Sequence, residues 1–242
     1  MRSLRGGLSG GTIDSMRQQL IQVSSDPGLR ARVSRPLALV DGPAPESAAR
    51  RSTQPRRRVT TGISRDARSG IWQARFAMGG FNRQIVLRSN ALAGWPYGPA
   101  FRYREVVDTG RGPIGAAKAA VVSAGTTAFM IAMFLAPTRR VLNRLLPDPG
   151  QGPSEQTMRR GRFLVEVVAE TTTGACYRTR IGADCDPGYS GTAVMLGESA
   201  LCLALDGDVA DRAGVLTPMT AMGEALAVRL RRHDFTVSTA PA

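Results

Sequence analysis

Apolar and polar positions alternate differently along the chain and divide it into segments of distinct character. In TIDSMRQQLIQVS (12–24), Ile13, Met16, Leu20 and Val23 recur every three or four residues, which is the spacing of one helical face. Thr12 is the expected N-cap, Asp14 suits the positive end of the helix dipole, and SSDPG (24–28) ends the helix. AAVVSAGTTAFMIAMFLA (119–136) runs 18 residues without charge between Lys118 and Arg139–Arg140 and predicts a hydrophobic helix over 116–136. Only eight of these residues are Val, Ile, Leu, Met or Phe. The many small residues therefore favour a buried or lipid-facing helix over a true span. The following PTRRVLNRLLPDPG reads as a short cationic amphipathic helix suited to a membrane surface.

Toward the C-terminus the period shortens. RFLVEVVAE (162–170) and ACYRTRIGAD (175–184) flank TTTG and predict a β-hairpin with alternating faces. A helix is expected at roughly 189–205. A second begins at Thr217 as N-cap with Pro218 at its first position, and its basic last turn holds Arg229, Arg231 and Arg232. FTV closes as a short strand. The predicted class is α+β, a mixed or antiparallel sheet with packed helices and one hydrophobic helix, rather than a complete doubly wound sheet. The expected organisation is a glycine loop and amphipathic helix in 1–40, a disordered insertion in 41–70, and an α+β domain in 71–242. The insertion holds three Pro and seven Arg and no aromatic residue, with Arg56-Arg57-Arg58 inside it.

Charge changes this picture less than its size suggests. The net charge is +13, but 31 of the 32 basic residues are Arg, Lys118 being the only lysine. Residues 1–112 hold 19 Arg against 7 acidic side chains, so an anionic partner or surface is expected there, if any. Seven of the 13 aromatics lie in 71–107, interleaved with Arg75, Arg83, Arg88, Arg102 and Arg104. That interleaving permits base stacking, but no nucleic-acid-binding motif accompanies it, and no nucleic-acid partner is expected. Cys176, Cys185 and Cys202 are odd in number, without C-x-x-C spacing or a secretory signal, and read as reduced thiols of a cytoplasmic protein. His233 is the only histidine, which excludes most histidine-based zinc sites; no metal site is expected.

The opening RGGLSGGTIDSM (5–16) contains G-x-S-x-G around Ser9. The chain order Ser9, then Asp206, Asp208 or Asp211, then His233 fits a hydrolase triad. However, a nucleophile elbow needs a buried strand before the serine, and only MRSLR is available. Glycines at 6, 7, 10 and 11 also miss the dinucleotide spacing, with no leading strand expected and no Walker lysine.

The same stretch resembles the middle of the saccharopine dehydrogenase-like oxidoreductases, closest to the trans-acting enoyl reductases of polyketide lipid biosynthesis. The resemblance continues through RSNAL (88–92), WPYGPAFRYREV (95–106), PTRRVLNRLLPDPGQGPSE (137–155), DPGYSGTAVMLGESALCLAL (186–205) and GVLTPMTAMGEAL (214–226). It implies an NAD(P)H-dependent reductase of a carbon–carbon double bond in polyketide-derived lipids, partnered by a polyketide synthase. It also implies a Rossmann half preceding GGLSGGT that this sequence lacks. The expectation is a truncated, substrate-side portion that is inactive alone and does not bind NAD(P)H by itself. By the same resemblance the glycine loop lies beside the cleft, making Ser9, Thr12 and Asp14 candidate substrate contacts. Tyr97, as a buried phenol, and Ser9 are candidate catalytic groups, and Arg102 and Arg104 candidate anchors for a carboxylate or phosphate. For each of these the competing role is packing, and no cofactor-binding residue is assigned. A second reading, from 119–146, is a membrane- or lipid-associated binding module without catalysis, at the inner face of the plasma membrane.

Overall fold

The computed structural model describes residues 3–5, 10–35, 37–40, 62–98, 101–142, 144, 146 and 152–242. Two compact units form, one from Met1–Asp14 with Leu146–Ala242 and the other from Ser15–Leu145. The chain opens with strand β1 (Ser3–Arg5) and helix α1 (Gly10–Ser25). Helix α1 starts two residues before the expected cap, so Thr12 lies inside its first turn and is exposed, while Ile13 is buried. Val23 is only half-buried.

In the Ser15–Leu145 unit, SSDPG both ends α1 and starts α2 (Pro27–Val33). Asp26 caps α2 by accepting a hydrogen bond from the Leu29 amide at 2.9 Å. Strands β2 (Ile63–Arg65), β3 (Trp72–Arg75) and β4 (Val106–Gly110) form an antiparallel sheet in that order. The insertion expected over 41–70 lies outside the described residues as far as 61. From Gly62 onward it is a hairpin: Asp66 accepts from the Ser69 amide at 2.9 Å and closes the turn between β2 and β3. Polar, Arg-rich spacing concealed a short edge strand whose partners lie 7–11 residues further on.

Helix α3 (Gly79–Leu92) connects β3 to β4, and α4 (Gly112–Phe134) follows β4 through a single-residue connection. Helix α4 lies on this sheet along Gly115, Ala119 and Ser123, four residues apart and all buried. Ser123 Oγ donates to the Gly62 carbonyl at 3.3 Å, and Thr109 Oγ1 to the Gly115 carbonyl at 2.9 Å. The hydrophobic helix of the sequence is thus present and begins four residues earlier than expected. α5 (Ala136–Leu142) follows it.

The other unit is built on β5 (Arg162–Glu170), which pairs with β6 (Cys176–Ala183) in the expected hairpin, Phe163 opposite Ala183 and Glu170 opposite Cys176. β7 (Thr236–Pro241) adds beyond β6, and β1 pairs along β5, giving the antiparallel order β1-β5-β6-β7. A strand therefore does lead into the opening glycines, contrary to expectation. It is a three-residue edge strand, not the central buried strand of an elbow. Short α6 (Glu155–Arg159) precedes the hairpin; α7 (Ser190–Leu205), α8 (Pro218–Ala221) and α9 (Gly223–Arg232) follow it. Thr217 caps α8 as expected, in a capping box with Thr220, and both side chains are buried. Phe163 and Phe235 meet edge-on at 6.1 Å between centroids, and Phe235, Met222 and Leu230 are buried.

Candidate functional site

The candidate residues of the sequence fall in separate places. Ser9 lies outside the described residues. Thr12 is exposed and Asp14 half-buried in the first turns of α1. Tyr97 sits in a loop after α3 that Asn90 organises. Buried Asn90 accepts from the Tyr97 amide at 3.0 Å through Oδ1 and donates to the Gly98 carbonyl at 3.4 Å through Nδ2. The Trp95 amide donates to the Asn90 carbonyl at 2.7 Å, and Trp95 takes a left-handed φ of 63°. Held this way, the Tyr97 ring packs against Phe101 at 5.1 Å but is 56% exposed, so it is not the buried phenol expected. Asn90 is the residue the sequence reading missed. Asn90→Ala is expected to cost about 1–2 kcal/mol, because it strands a part-buried amide and carbonyl, and to raise protease cutting within 94–98. Unchanged cutting and an unchanged urea midpoint would contradict the role.

Tyr103 is the phenol partly withdrawn from water. Burial first, and then the Glu105 charge beside it, push its pKa up. Glu105 in turn accepts from Asn82 Nδ2 at 2.7 Å. Arg104 reaches Ser64 Oγ at 3.3 Å and Gln73 Oε1 at 3.4 Å across the sheet, and Arg102 is exposed. Arg102 and Arg104 are therefore not brought to one anion position by these contacts.

A motif the sequence reading passed over stands between β4 and α4. Gly110-Arg111-Gly112-Pro113-Ile114-Gly115 has the G-x-G-x-x-G spacing, after a strand and opening a helix. Here Gly115 serves helix–strand packing: a Cβ there would lie 2.3 Å from the Gly110 carbonyl oxygen. The surrounding sheet is antiparallel throughout, whereas the dinucleotide fingerprint belongs to a parallel βαβ unit. This glycine segment thus does not form a dinucleotide cradle.

In the other unit, the DPGYSG segment is a tight knot. Buried Asp186 accepts from the Tyr189 amide at 2.7 Å through its side chain and from the Gly191 amide at 2.7 Å through its carbonyl, fixing the start of α7. Gly161 packs directly on it: a Cβ there would sit 2.4 Å from Asp186 Cα. At the other end of α7, Arg229 of α9 makes two 2.7 Å bonds to Asp206 and one of 3.0 Å to buried Glu198. Glu198 also faces His233 Nε2 at 3.0 Å. His233 is half-exposed at a helix end, and its carboxylate partner is Glu198 rather than any of the three aspartates considered for a triad. Asp206 is committed to Arg229. The Cys202 thiol is raised by burial first and then by its hydrogen bond to Asp206; Cys185 is raised by burial first and then by Asp186 and Asp184. Neither is an activated nucleophile.

Fold and site together define an α+β protein of two units, each an antiparallel sheet carrying an apolar helix, with no assembled nucleophile–base pair among the described residues. Its relatives are more specific. A Mycobacterium tuberculosis protein provisionally named a trans-acting enoyl reductase is 41% identical over 253 residues, which take in 99% of this chain and 58% of that relative. A trans-acting enoyl reductase of Mycobacterium bovis is 39% identical over 231 residues, 92% of this chain and 54% of the relative. One from Mycobacterium ulcerans is 38% identical over 242 residues, 95% and 56% respectively. The chain therefore spans about half the length of the curated relatives it matches. No family model matches it, and no solved structure does.

Proposed function

We propose that this chain forms part of a nicotinamide-dependent enoyl reductase, of the saccharopine dehydrogenase-like kind, that works in trans with a polyketide synthase on polyketide-derived acyl chains. The observation that carries the reading is identity of 41% sustained over 99% of the chain with a relative named as a trans-acting enoyl reductase. Burial raises the pKa of both Cys185 and Cys202, which makes them poor nucleophiles and favours a reduction over thiol-based acyl transfer. The reading assigns this chain the acyl-facing part of the reductase and a cytoplasmic location; the nicotinamide supplies the hydride when bound.

The test exchanges this chain for the matching portion of a curated relative. The chimera is expected to saturate a 2-enoyl thioester with oxidation of NADPH, the product gaining two hydrogens by mass spectrometry. A folded chimera that binds NADPH yet leaves the double bond intact would sink the reading.

A further inference from the structure

Helix α4 presents two opposed faces, and only one is used. Gly115, Ala119 and Ser123 lie against the sheet, while Ile114, Val121 and Ile131 are 72%, 72% and 55% exposed. Ile114, Ala117, Val121, Ala124, Ala128, Ile131 and Leu135 follow one another at alternating three- and four-residue steps, a continuous stripe on the side away from the sheet. At ~1.5 Å per residue, this stripe is roughly 30 Å long. Leu135 and Val141 of α5 extend the exposed apolar surface past the end of the helix. A monomer seldom leaves so long an apolar strip in water without a partner for it.

Charge indicates the partner. The Ser15–Leu145 unit carries 21 Lys and Arg against 6 Asp and Glu, and the other unit 11 against 13. The whole positive excess thus belongs to the unit that bears the stripe, the other unit being slightly acidic. Arg111 at the start of α4, Lys118 in its second turn and Arg144 past its end are all exposed. Apolar residues bracketed by cations match an anionic lipid surface, whose acyl region takes the stripe and whose headgroups take the charges.

The mode of binding follows from the sheet. Helix α4 is long and apolar enough to cross a bilayer. A spanning position would carry β2, β3 and β4 into hydrocarbon with the outer edges of β2 and β4 unpaired among the described residues, and lipid does not tolerate open sheet edges. We infer that α4 is a monotopic dock: it lies flat in the interface of an anionic membrane, sheet side toward water, without crossing. The inference is independent of the reductase reading and would place any chemistry of this chain beside membrane-dissolved lipid.

The full chain is tested by flotation with vesicles of phosphatidylcholine alone, and of equal parts phosphatidylcholine and phosphatidylglycerol. Flotation is expected with the mixed vesicles, weakening as salt rises. Val121→Asp with Ile131→Asp is expected to weaken it by at least about tenfold. The circular dichroism spectrum and thermal midpoint of that variant stay unchanged, because both side chains are exposed. Arg111→Gln with Lys118→Gln is expected to weaken it by on the order of tenfold on the anionic vesicles alone. Alkaline carbonate is expected to release the bound protein. Failure of the folded parent chain to float, equal flotation of the Asp variant, or resistance to carbonate would each overturn the dock. So would a dimer of the parent chain that the Asp variant abolishes, since the stripe would then belong to a second copy.

Discussion

Gly115→Ala is expected to destabilise the Ser15–Leu145 unit by about 3 kcal/mol, while Gly125→Ala in the same helix stabilises it by about 0.5–1 kcal/mol. The added methyl at 115 would meet the Gly110 carbonyl oxygen at 2.3 Å and its carbon at 2.5 Å. Both are backbone atoms, so no side-chain rotation relieves the overlap; β4 and α4 must separate. Separation in turn stretches the Thr109 hydroxyl from the Gly115 carbonyl, and the Ser123 hydroxyl from the Gly62 carbonyl. At 125 a Cβ meets nothing within 4 Å, and alanine there only removes backbone freedom from the unfolded chain. Urea unfolding of both variants gives the comparison. Equal shifts, or a gain at 115, would mean that α4 does not rest on β4 through that glycine. The contrast also bears on the membrane dock, because Gly125→Ala leaves the apolar stripe intact and should float like the parent chain.

Much of the C-terminal half was legible because its signals are local. Alternation in RFLVEVVAE and ACYRTRIGAD, separated by a four-residue turn, specifies a hairpin without knowledge of anything else. Thr217-Pro218 likewise starts a helix through its own cap. What sequence could not supply were pairings at long range. The strand at Ser3–Arg5 has no apolar run and exists because β5 offers it an edge 157–161 positions away. Ile63–Arg65 hid in an Arg-rich stretch because its ladder is set by β3 rather than by its own composition. Among the candidate site residues, Tyr97 and Tyr103 are near-equivalents in sequence. Asn90 pins the first loop with its tyrosine exposed, while the second tyrosine is half-buried and hydrogen-bonds Glu105. The glycine spacing at 110–115 was legible in principle; its meaning as a packing motif needed the antiparallel sheet around it.

Arg229→Met should weaken the other unit more than any exposed substitution in it, and should also change how stability responds to acid. Arg229 holds both oxygens of Asp206 at 2.7 Å and one oxygen of Glu198 at 3.0 Å, joining the C-terminal end of α7 to the last turn of α9. Its hydrogen bonds are the first cause of the depressed Asp206 pKa, which lies below the ordinary 3.8. A carboxyl whose pKa is lower folded than unfolded contributes its full stability above the unfolded value. That contribution is lost as pH falls through the folded value. The parent protein is therefore expected to lose stability as pH drops below about 4, beyond what the variant loses over the same range. Methionine keeps the volume and removes the charge, leaving the Glu198 carboxylate, 8% exposed, facing the His233 imidazole at 3.0 Å. An uncompensated buried charge is costlier than no ion pair at all. Adding Glu198→Gln and Asp206→Asn to Arg229→Met should thus recover part of the lost thermal midpoint, whereas Arg229→Lys, without a planar fork, should recover little of it. Thermal melts of the four proteins at neutral pH and at the acid edge of carboxylate titration separate these outcomes. A variant with the parent's midpoint and the parent's acid slope would show that the network is bystander to the α7–α9 contact. A triple variant weaker than Arg229→Met would show that the charges, and not their imbalance, hold the helices together.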